Sequence, residues 1–401
     1  MLFITLISVL LFATFAYAAT LEVGTGKPYT TIQSAINAAN PGDTVLVYPG
    51  TYSEHINFNG EALTVKSVKG AASTIIDGSV YGTYPKGSVV TFNAGEGVNS
   101  MLDGFIITNG TGNTIDNSEN TYGGGIFCDS SSPTITNCTI TGNTATFHGG
   151  ISCNNSSSPV ITNCTITGNL AAYGGGISCN NSSSPAITNC TITGNTVTTA
   201  VGGGIYCFYY SSPVITNCTI TGNNADWGGG ISCNNSSSPV ITNCTITGNS
   251  ADYNGGGFYC VDYSFPMVKN SILWGDTAPE GKEIAHDENS TITFTYSDVE
   301  GGWPGTGNIN ADPLFVGGGD YHLTAGSPCI DTGTNMGAPT NDIDGDPRPQ
   351  GAGHDIGSDE YAAASTTCSV WGDVISKYNL YVSGQAQWKD VIECYNQYAT
   401  Q

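Results

Sequence analysis

Five aromatic residues stand at or just before successive glycine runs: Tyr122, Phe147, Tyr173, Trp227 and Tyr253. Val201 interrupts the series, and Asp226 and Asp252 sit beside its last two members. Rings at repeated turn positions offer π faces to the C–H faces of sugars, and neighbouring carboxylates accept hydrogen bonds from hydroxyls. The pattern fits a glycan-binding ladder, and it also fits rings that merely cover a coil edge. A second set, Asp342, Asp344 and Asp346 in "DIDGD", places hard oxygen ligands at alternate positions. Such a set can hold Ca2+, although no complete EF-hand loop surrounds it. A third set, Cys368 and Cys394, is placed to tie the last segment with a disulfide.

Acid–base candidates are scattered. His148 reads as a solvent-exposed turn residue, and Glu54, His55, Asp77 and Asp103 are the other place where a catalytic group would assemble. No Lys or Arg occurs between Gly87 and Pro266. The chain of 401 residues carries 32 acidic residues against 9 Lys plus Arg, a formal charge of -23. That balance argues against nucleic acid and against an anionic membrane surface, both of which need clustered cations. The opening "MLFITLISVLLFATFAYA" reads as an export signal cleaved after Ala18, and no later segment is long and apolar enough to span a membrane. Secretion or display at the cell surface is expected.

The elements that must position these side chains are repeats. "ITNCTITGN" begins at Ile135, Ile161, Ile187, Ile215 and Ile241, at steps of 26, 26, 28 and 26 residues. In the unit Gly174–Asn195, Ile177 and Cys179 alternate with Ser178, and Cys190 and Ile192 alternate with Thr191 and Thr193. Period two puts Ile and Cys on one face and Ser and Thr on the other. "NNSSSP" and "TGN" supply turns, and a third short strand fits Pro185–Ile187. A unit this thin cannot bury its own apolar face and must stack on its copies. Fold class follows: all-β, a parallel β-helix solenoid whose side chains form ladders along the axis. Asn137, Asn163, Asn189, Asn217 and Asn243 are expected to form an amide ladder, two inward cysteine columns are expected to fill the core as free thiols or, since export allows it, to be bridged by disulfides along a column, and T-x-T pairs from Thr139/Thr141 to Thr245/Thr247 are expected to face outward. Ile32, Ala35, Ile36 and Ala39 lie on one helical stripe, which predicts a helix capping the N-terminal end.

These residues resemble the right-handed parallel β-helix proteins with a pectin-lyase-like fold. "YTTIQSAINAANPGDTVLVYPGTYSE" is similar to their N-terminal cap and first coil, and the "GGGI…ITGN" units are similar to polymorphic surface-protein repeats. Residues 308–361 resemble the choice-of-anchor Q region of exported bacterial β-helices. The resemblance implies fold and export. It leaves activity open, because the fold hosts lyases, hydrolases, adhesins and inert scaffolds. Lyases of this fold pair a Ca2+-binding acidic cluster with an Arg or Lys base, which the identical coils here lack. The flat T-x-T array also resembles the ice-binding face of some β-helical antifreeze proteins.

The organisation expected is a signal peptide over 1–18, a β-helix over 19–361, a linker over 362–367 and a duplicated module over 368–401. In that module "WGDVISKYNLY" returns as "WKDVIECYNQY", which predicts a helical hairpin that caps the end, anchors the chain or binds a partner protein. The function expected is binding or display toward extracellular polysaccharide. The alternatives are a polysaccharide lyase or hydrolase, a purely structural surface protein, and an ice-binding protein.

Overall fold

The computed structural model describes residues 18–79, 87–115 and 119–362, with Val374, Ile375, Tyr378, Val391, Cys394 and Tyr395 beyond them. The expected export signal and most of the C-terminal module therefore lie outside the described residues. Val374 and Cys394 are buried against one another. Cys394 is disulfide-bonded, and its expected partner Cys368 lies outside the described residues.

Short strands stack into three long parallel sheets. Sheet one has 11 strands, from Thr20–Val23 to Thr293–Thr295; sheet two has 10, from Gly50–Ser53 to Asp298–Val299; sheet three has 9, from Ile56–Asn57 to Ile284–His286. One coil shows why. The strand Ile177–Asn180 lies in sheet three, Ala186–Thr188 in sheet one and Thr191–Thr193 in sheet two. A fourth strand, Thr196–Val197, joins a small sheet of 4 strands that the repeat pattern does not announce. Its two residues are too few to show a period. The register is strict: Ile161 pairs with Ile187, Ile166 with Ile192, and Cys153 with Cys179. The solenoid runs to about ten turns.

The inward letters explain the stacking. Ile135, Ile161, Ile187, Ile215 and Ile241 are each 0% exposed, and burying one such side chain contributes about 1.5–3 kcal/mol. The cysteine columns belong to the same core. Twelve cysteines are free thiols and all are buried. Their Sγ atoms lean on backbone carbonyls, as when Cys164 donates to Thr162 O at 3.2 Å. The helical stripe near the N-terminus folds as one short helix, Ile32–Ile36, with Ile32, Ala35 and Ile36 buried. No helical hairpin is seen among the described residues, and no helix among them is long and apolar enough to cross a membrane.

The amide ladder forms on a different asparagine from the expected one. Asn137, Asn163 and Asn189 have φ near +50° and sit at the outer bend, where Asn163 reaches Asn137 only at 3.4 Å. The continuous ladder runs through the second asparagine of each repeat, Asn143, Asn169, Asn195, Asn223 and Asn249. Each Nδ2 donates to the next Oδ1 at 2.9–3.0 Å, all buried. A glycine with φ near +63° precedes each of them, and that turn places the next side chain inside. A buried amide has no water to fall back on, so a fully paired ladder is the stable arrangement.

Residues 319–361 fold back over half of sheet two. Ser358 donates from its amide and its hydroxyl to Thr245 Oγ1 at 3.1 and 3.0 Å. Thr221 donates to Tyr321 OH at 2.7 Å, and Asn217 donates to Asn341 O at 2.6 Å. The T-x-T array is thereby divided. Thr219, Thr221, Thr245 and Thr247 are buried, whereas Thr139 to Thr193 stay half-exposed.

Candidate functional site

The aromatic positions are set by the glycine runs that follow them. Gly176 lies flat against the next coil, where an added Cβ would stand 2.5 Å from Gly204 O. Only glycine lets the coils approach so closely, so a large side chain is confined to the turn just before the run. There the rings do meet. Tyr122 stacks on Phe147 at 5.2 Å between centroids, and Phe147 on Tyr173 at 5.2 Å. Trp227 stacks on Tyr253 at 4.9 Å. The single expected column is thus two stacks, divided where Val201 pairs with Trp227 and is itself buried.

The rings extend further than the glycine-run positions suggested. Sheet three presents Ser152, Ser178 and Ser232 at its outward positions, and one coil substitutes Tyr206 and Phe208 there. From Tyr173 the rings continue to Tyr206 at 6.5 Å, Phe208 at 5.7 Å, Tyr209 at 5.8 Å and Tyr210 at 5.2 Å. A belt of aromatic side chains therefore crosses sheet three from one turn to the other, open at its two ends and buried at Tyr206 in its middle. Tyr206, Phe208, Tyr209, Tyr210, Tyr259 and Tyr263 were not anticipated. The signal was present where "GIYCFYYSSP" and "GFYCVDYSFP" replace "GISCNNSSSP".

His148 is a correction. It occupies a turn with φ +63° but is buried, not solvent-exposed. Its ring lies 5.5 Å from that of Tyr122, its Nδ1 is 2.8 Å from Ser152 Oγ, and its Nε2 accepts from Asn180 Nδ2 at 3.1 Å. Burial pushes its pKa down to about 3, so the ring is neutral. Beside the second stack, Asp226 is half-buried and Asp252 exposed. Burial, then repulsion from Asp252, raises the Asp226 pKa.

A second concavity lies where the tail's edge meets the open part of the T-x-T face. It has a volume of about 1080 Å³ and brings Thr191 and Thr193 opposite Asp320, His322, Asp344 and Asp359. His322 is bridged, Nδ1 to Asp320 and Nε2 to Asp344 at 2.7 Å. Hydrogen bonding to Asp344 first, then to Asp320, raises its pKa to about 10, so it is a fixed imidazolium. A cation held this way is no general base at neutral pH. His322, Asp344 and Asp359 offer ligand atoms within 4.8 Å of one another. The expected cation set does not assemble as a unit: Asp344 faces His322, while Asp342 is buried and accepts the amides of Asp344, Asp346 and Glu360. Asp346 is exposed. The N-terminal acids are likewise engaged apart from one another. Glu54 accepts the Ile32 and Gln33 amides, His55 meets Ser88 O, Asp77 accepts from Asn109, and Asp103 pairs with Lys66 at 2.8 Å.

No curated protein matches this sequence. Among solved structures, pectate lyase Pel9A aligns with a TM-score of 0.51 at 15% identity, over 86% of this chain and 97% of that one. A pectin methylesterase from carrot aligns at 0.43 and 14% identity, over 69% of this chain and 87% of that one. The ORF18 protein of Geobacillus virus E2 aligns at 0.41 and 14%, over 71% and 62%. At such identity the first likeness speaks for the fold alone, and the other two carry no argument. The model described as "Right handed beta helix region" matches residues 55–202 and 191–312, more than half of the sequence, and the chain belongs to that right-handed β-helix family.

Proposed function

We propose that the protein is an exported β-helix that binds extracellular or cell-surface polysaccharide through its aromatic belt, without cleaving it. The observation that carries this reading is the continuity of the rings from Tyr122 to Tyr210 across the outer face of sheet three. The rings of Tyr122, Phe147 and Tyr173 at one turn and of Tyr209 and Tyr210 at the other are open to sugar residues, and buried Tyr206 ties the two groups together. Ser152, Asn154, Ser178 and Asn180 are buried beneath the rings and bonded to one another and to His148, so they hold the rings' floor in place. Trp227 and Tyr253, with Asp226 and Asp252, form a second contact on the same side of the glycine runs. Export through residues 1–18 and surface retention through the tail and the C-terminal module belong to the same reading.

The cleft favours one further reading, cleavage of a polysaccharide. Asp359, raised by burial to about 6, adjoins Asp344, held low by His322. Two carboxyls with pKa values pushed apart suit acid–base work. A polysaccharide panel incubated with the full chain separates the two readings, scored for retention and for released reducing ends or unsaturated uronides. Retention without product is expected. Loss of retention in Trp227→Ala/Tyr253→Ala with an unchanged melting temperature would place binding on the rings; product release would transfer the function to the cleft.

A further inference from the structure

The turns after five successive strands of sheet three, from Ile151–Asn154 to Phe258–Cys260, take two successive residues with left-handed backbone. Several coils use Asn and Ser there, as at Asn155–Ser156, Asn181–Ser182 and Asn235–Ser236, with φ between +52° and +64°. Two coils use Tyr209–Tyr210 and Asp262–Tyr263 at the same angles. Asparagine tolerates that region, whereas a bulky side chain there is strained. The tyrosines are also exposed, by 49%, 60% and 62% for Tyr209, Tyr210 and Tyr263. The fold would gain by keeping Asn–Ser at these turns. Strain retained at a surface, with nothing recovered in the core, marks a site that uses the side chains.

The geometry gives that use a form. Cys207, Cys233 and Cys260 are in register, so Tyr210, Ser236 and Tyr263 occupy one turn position on three successive coils. The two tyrosines are two coil steps apart, roughly 9–10 Å. Between them lies a slot of about 410 Å³, walled by Tyr209 and Tyr210 on one side and Asp262 and Tyr263 on the other, over Asn235 and Ser236. Asn235 and Ser236 are half-buried in it, although their counterparts Asn181 and Ser182 are exposed. A pyranose in contact with a ring on either side, at roughly 3.5–4 Å from each, needs a gap of this size.

We infer that this slot is a subsite for one residue of a neutral glycan with equatorial hydroxyls, held between Tyr210 and Tyr263. The inference rests on the glycan-binding reading above and adds a site at the opposite turn from Trp227 and Tyr253. Neutrality follows from charge. Asp262 lines the slot together with uncharged residues, on a chain of net charge -23, so a uronate would meet repulsion. Equatorial hydroxyls leave both sugar faces flat and apolar. The belt reaches the slot through Phe208 and Tyr209, so a glycan lying on sheet three leads into it.

The test is calorimetric titration of the full chain with cellohexaose, with hexagalacturonate as the charged control. Tyr209→Asn/Tyr210→Ser restores the letters of neighbouring coils, so it should melt no lower than the parent while binding cellohexaose at least about tenfold more weakly. Tyr263→Ser should do the same, and hexagalacturonate should bind at least about tenfold more weakly than cellohexaose. Equal cellohexaose affinity in parent and double variant overturns the slot. So does hexagalacturonate binding as tight as cellohexaose, or a parent that does not bind cellohexaose. Polysaccharide retention that Trp227→Ala/Tyr253→Ala loses and Tyr209→Asn/Tyr210→Ser keeps removes the slot and leaves the broader reading standing. Absence of retention of any polysaccharide by the parent removes both.

Discussion

Two outer faces of the same rod are treated differently. On sheet two the outward letters hardly change from coil to coil, and the chain's own tail covers Thr219 to Thr247. On sheet three the letters change abruptly, Ser and Asn giving way to Tyr206, Phe208, Tyr209 and Tyr210. Constant hydroxyls at a fixed step make a register on which a tail can dock. Abrupt aromatic substitution does nothing for stacking and makes one place on the rod unlike the rest. The comparison separates repetition that serves architecture from departures that serve recognition.

The largest effect should come from breaking the covered side. Arg348 and Glu360 form a fully buried pair at 2.8 Å, and Arg348 also donates to Gly357 O at 3.0 Å. Arg348→Met leaves the Glu360 carboxylate buried without its cation, at a cost of about 3–5 kcal/mol to tail docking. Hydrogen exchange at Gly357 and Ser358, whose amides bond Asn270 O and Thr245 Oγ1, should quicken accordingly. Unchanged exchange there would mean that the tail is held by other contacts and that the roof over sheet two is a weaker contrast than stated.

The open side should respond in binding and not in stability. Trp227→Ala/Tyr253→Ala removes a stacked pair from half-exposed and exposed positions. Polysaccharide affinity should fall about a hundredfold, some 2.7 kcal/mol, with the midpoint of urea unfolding little changed. A large fall in that midpoint would show the rings to be cover for a coil edge, and the two faces would then differ in letters but not in role.

Much of this contrast was legible beforehand, and the limits have physical causes. Strand positions followed from period two because Ile and Cys cannot face water along a whole rod. The sequence points to Asn137 for the amide ladder as readily as to Asn143 because both asparagines recur with the same step, and only the backbone sign at Gly142 decides which turns inward. His148 looks exposed in the sequence because nothing local announces the cover that the Tyr122 ring and Asn180 give it from neighbouring coils. The tail's docking on Thr219 and Thr245 joins residues more than a hundred positions apart, beyond what a repeat pattern encodes. The aromatic belt was readable, since it appears once the imperfect repeats are set beside the perfect ones.

A pH-dependent effect should distinguish the faces again. Burial pushes Asp355 up to about 7 and Asp359 up to about 6. A raised folded-state pKa means that the folded chain holds its proton more tightly, so this stability is complete below the unfolded value near 4 and is lost as pH rises through 6 to 7. His322, raised to about 10, acts with the same sign from its unfolded value near 6.5 upward, and being half-exposed adds only a small part of the slope below pH 8. Asp320 and Asp344, held low by His322, stay charged throughout and add no slope between pH 5 and 8. Tail docking should therefore weaken by about 4 kcal/mol from pH 5 to pH 8, read from exchange at Ser358. Glycan binding on sheet three should hold steady over that range, because His148 is already neutral at pH 5. Tail docking that strengthens with pH would reverse the assigned protonation of the buried acids.

The smallest effect concerns the open threonines. Thr191 and Thr193 are half-exposed, whereas Thr245 accepts two hydrogen bonds from Ser358. Thr191→Val should change stability by less than about 0.5 kcal/mol, while Thr245→Val leaves the Ser358 amide unsatisfied and should cost about 1–3 kcal/mol. The same asymmetry bears on ice. A flat hydroxyl array must meet water over many coils to order a lattice, yet the tail closes the later half of this one, and charged Asp320, His322 and Asp344 stand at the edge of what remains. Freezing assays should accordingly show no thermal hysteresis. Clear hysteresis that Thr191→Val abolishes would make Thr139 to Thr193 a recognition surface in their own right, and regular letters would then serve function as directly as the irregular ones do.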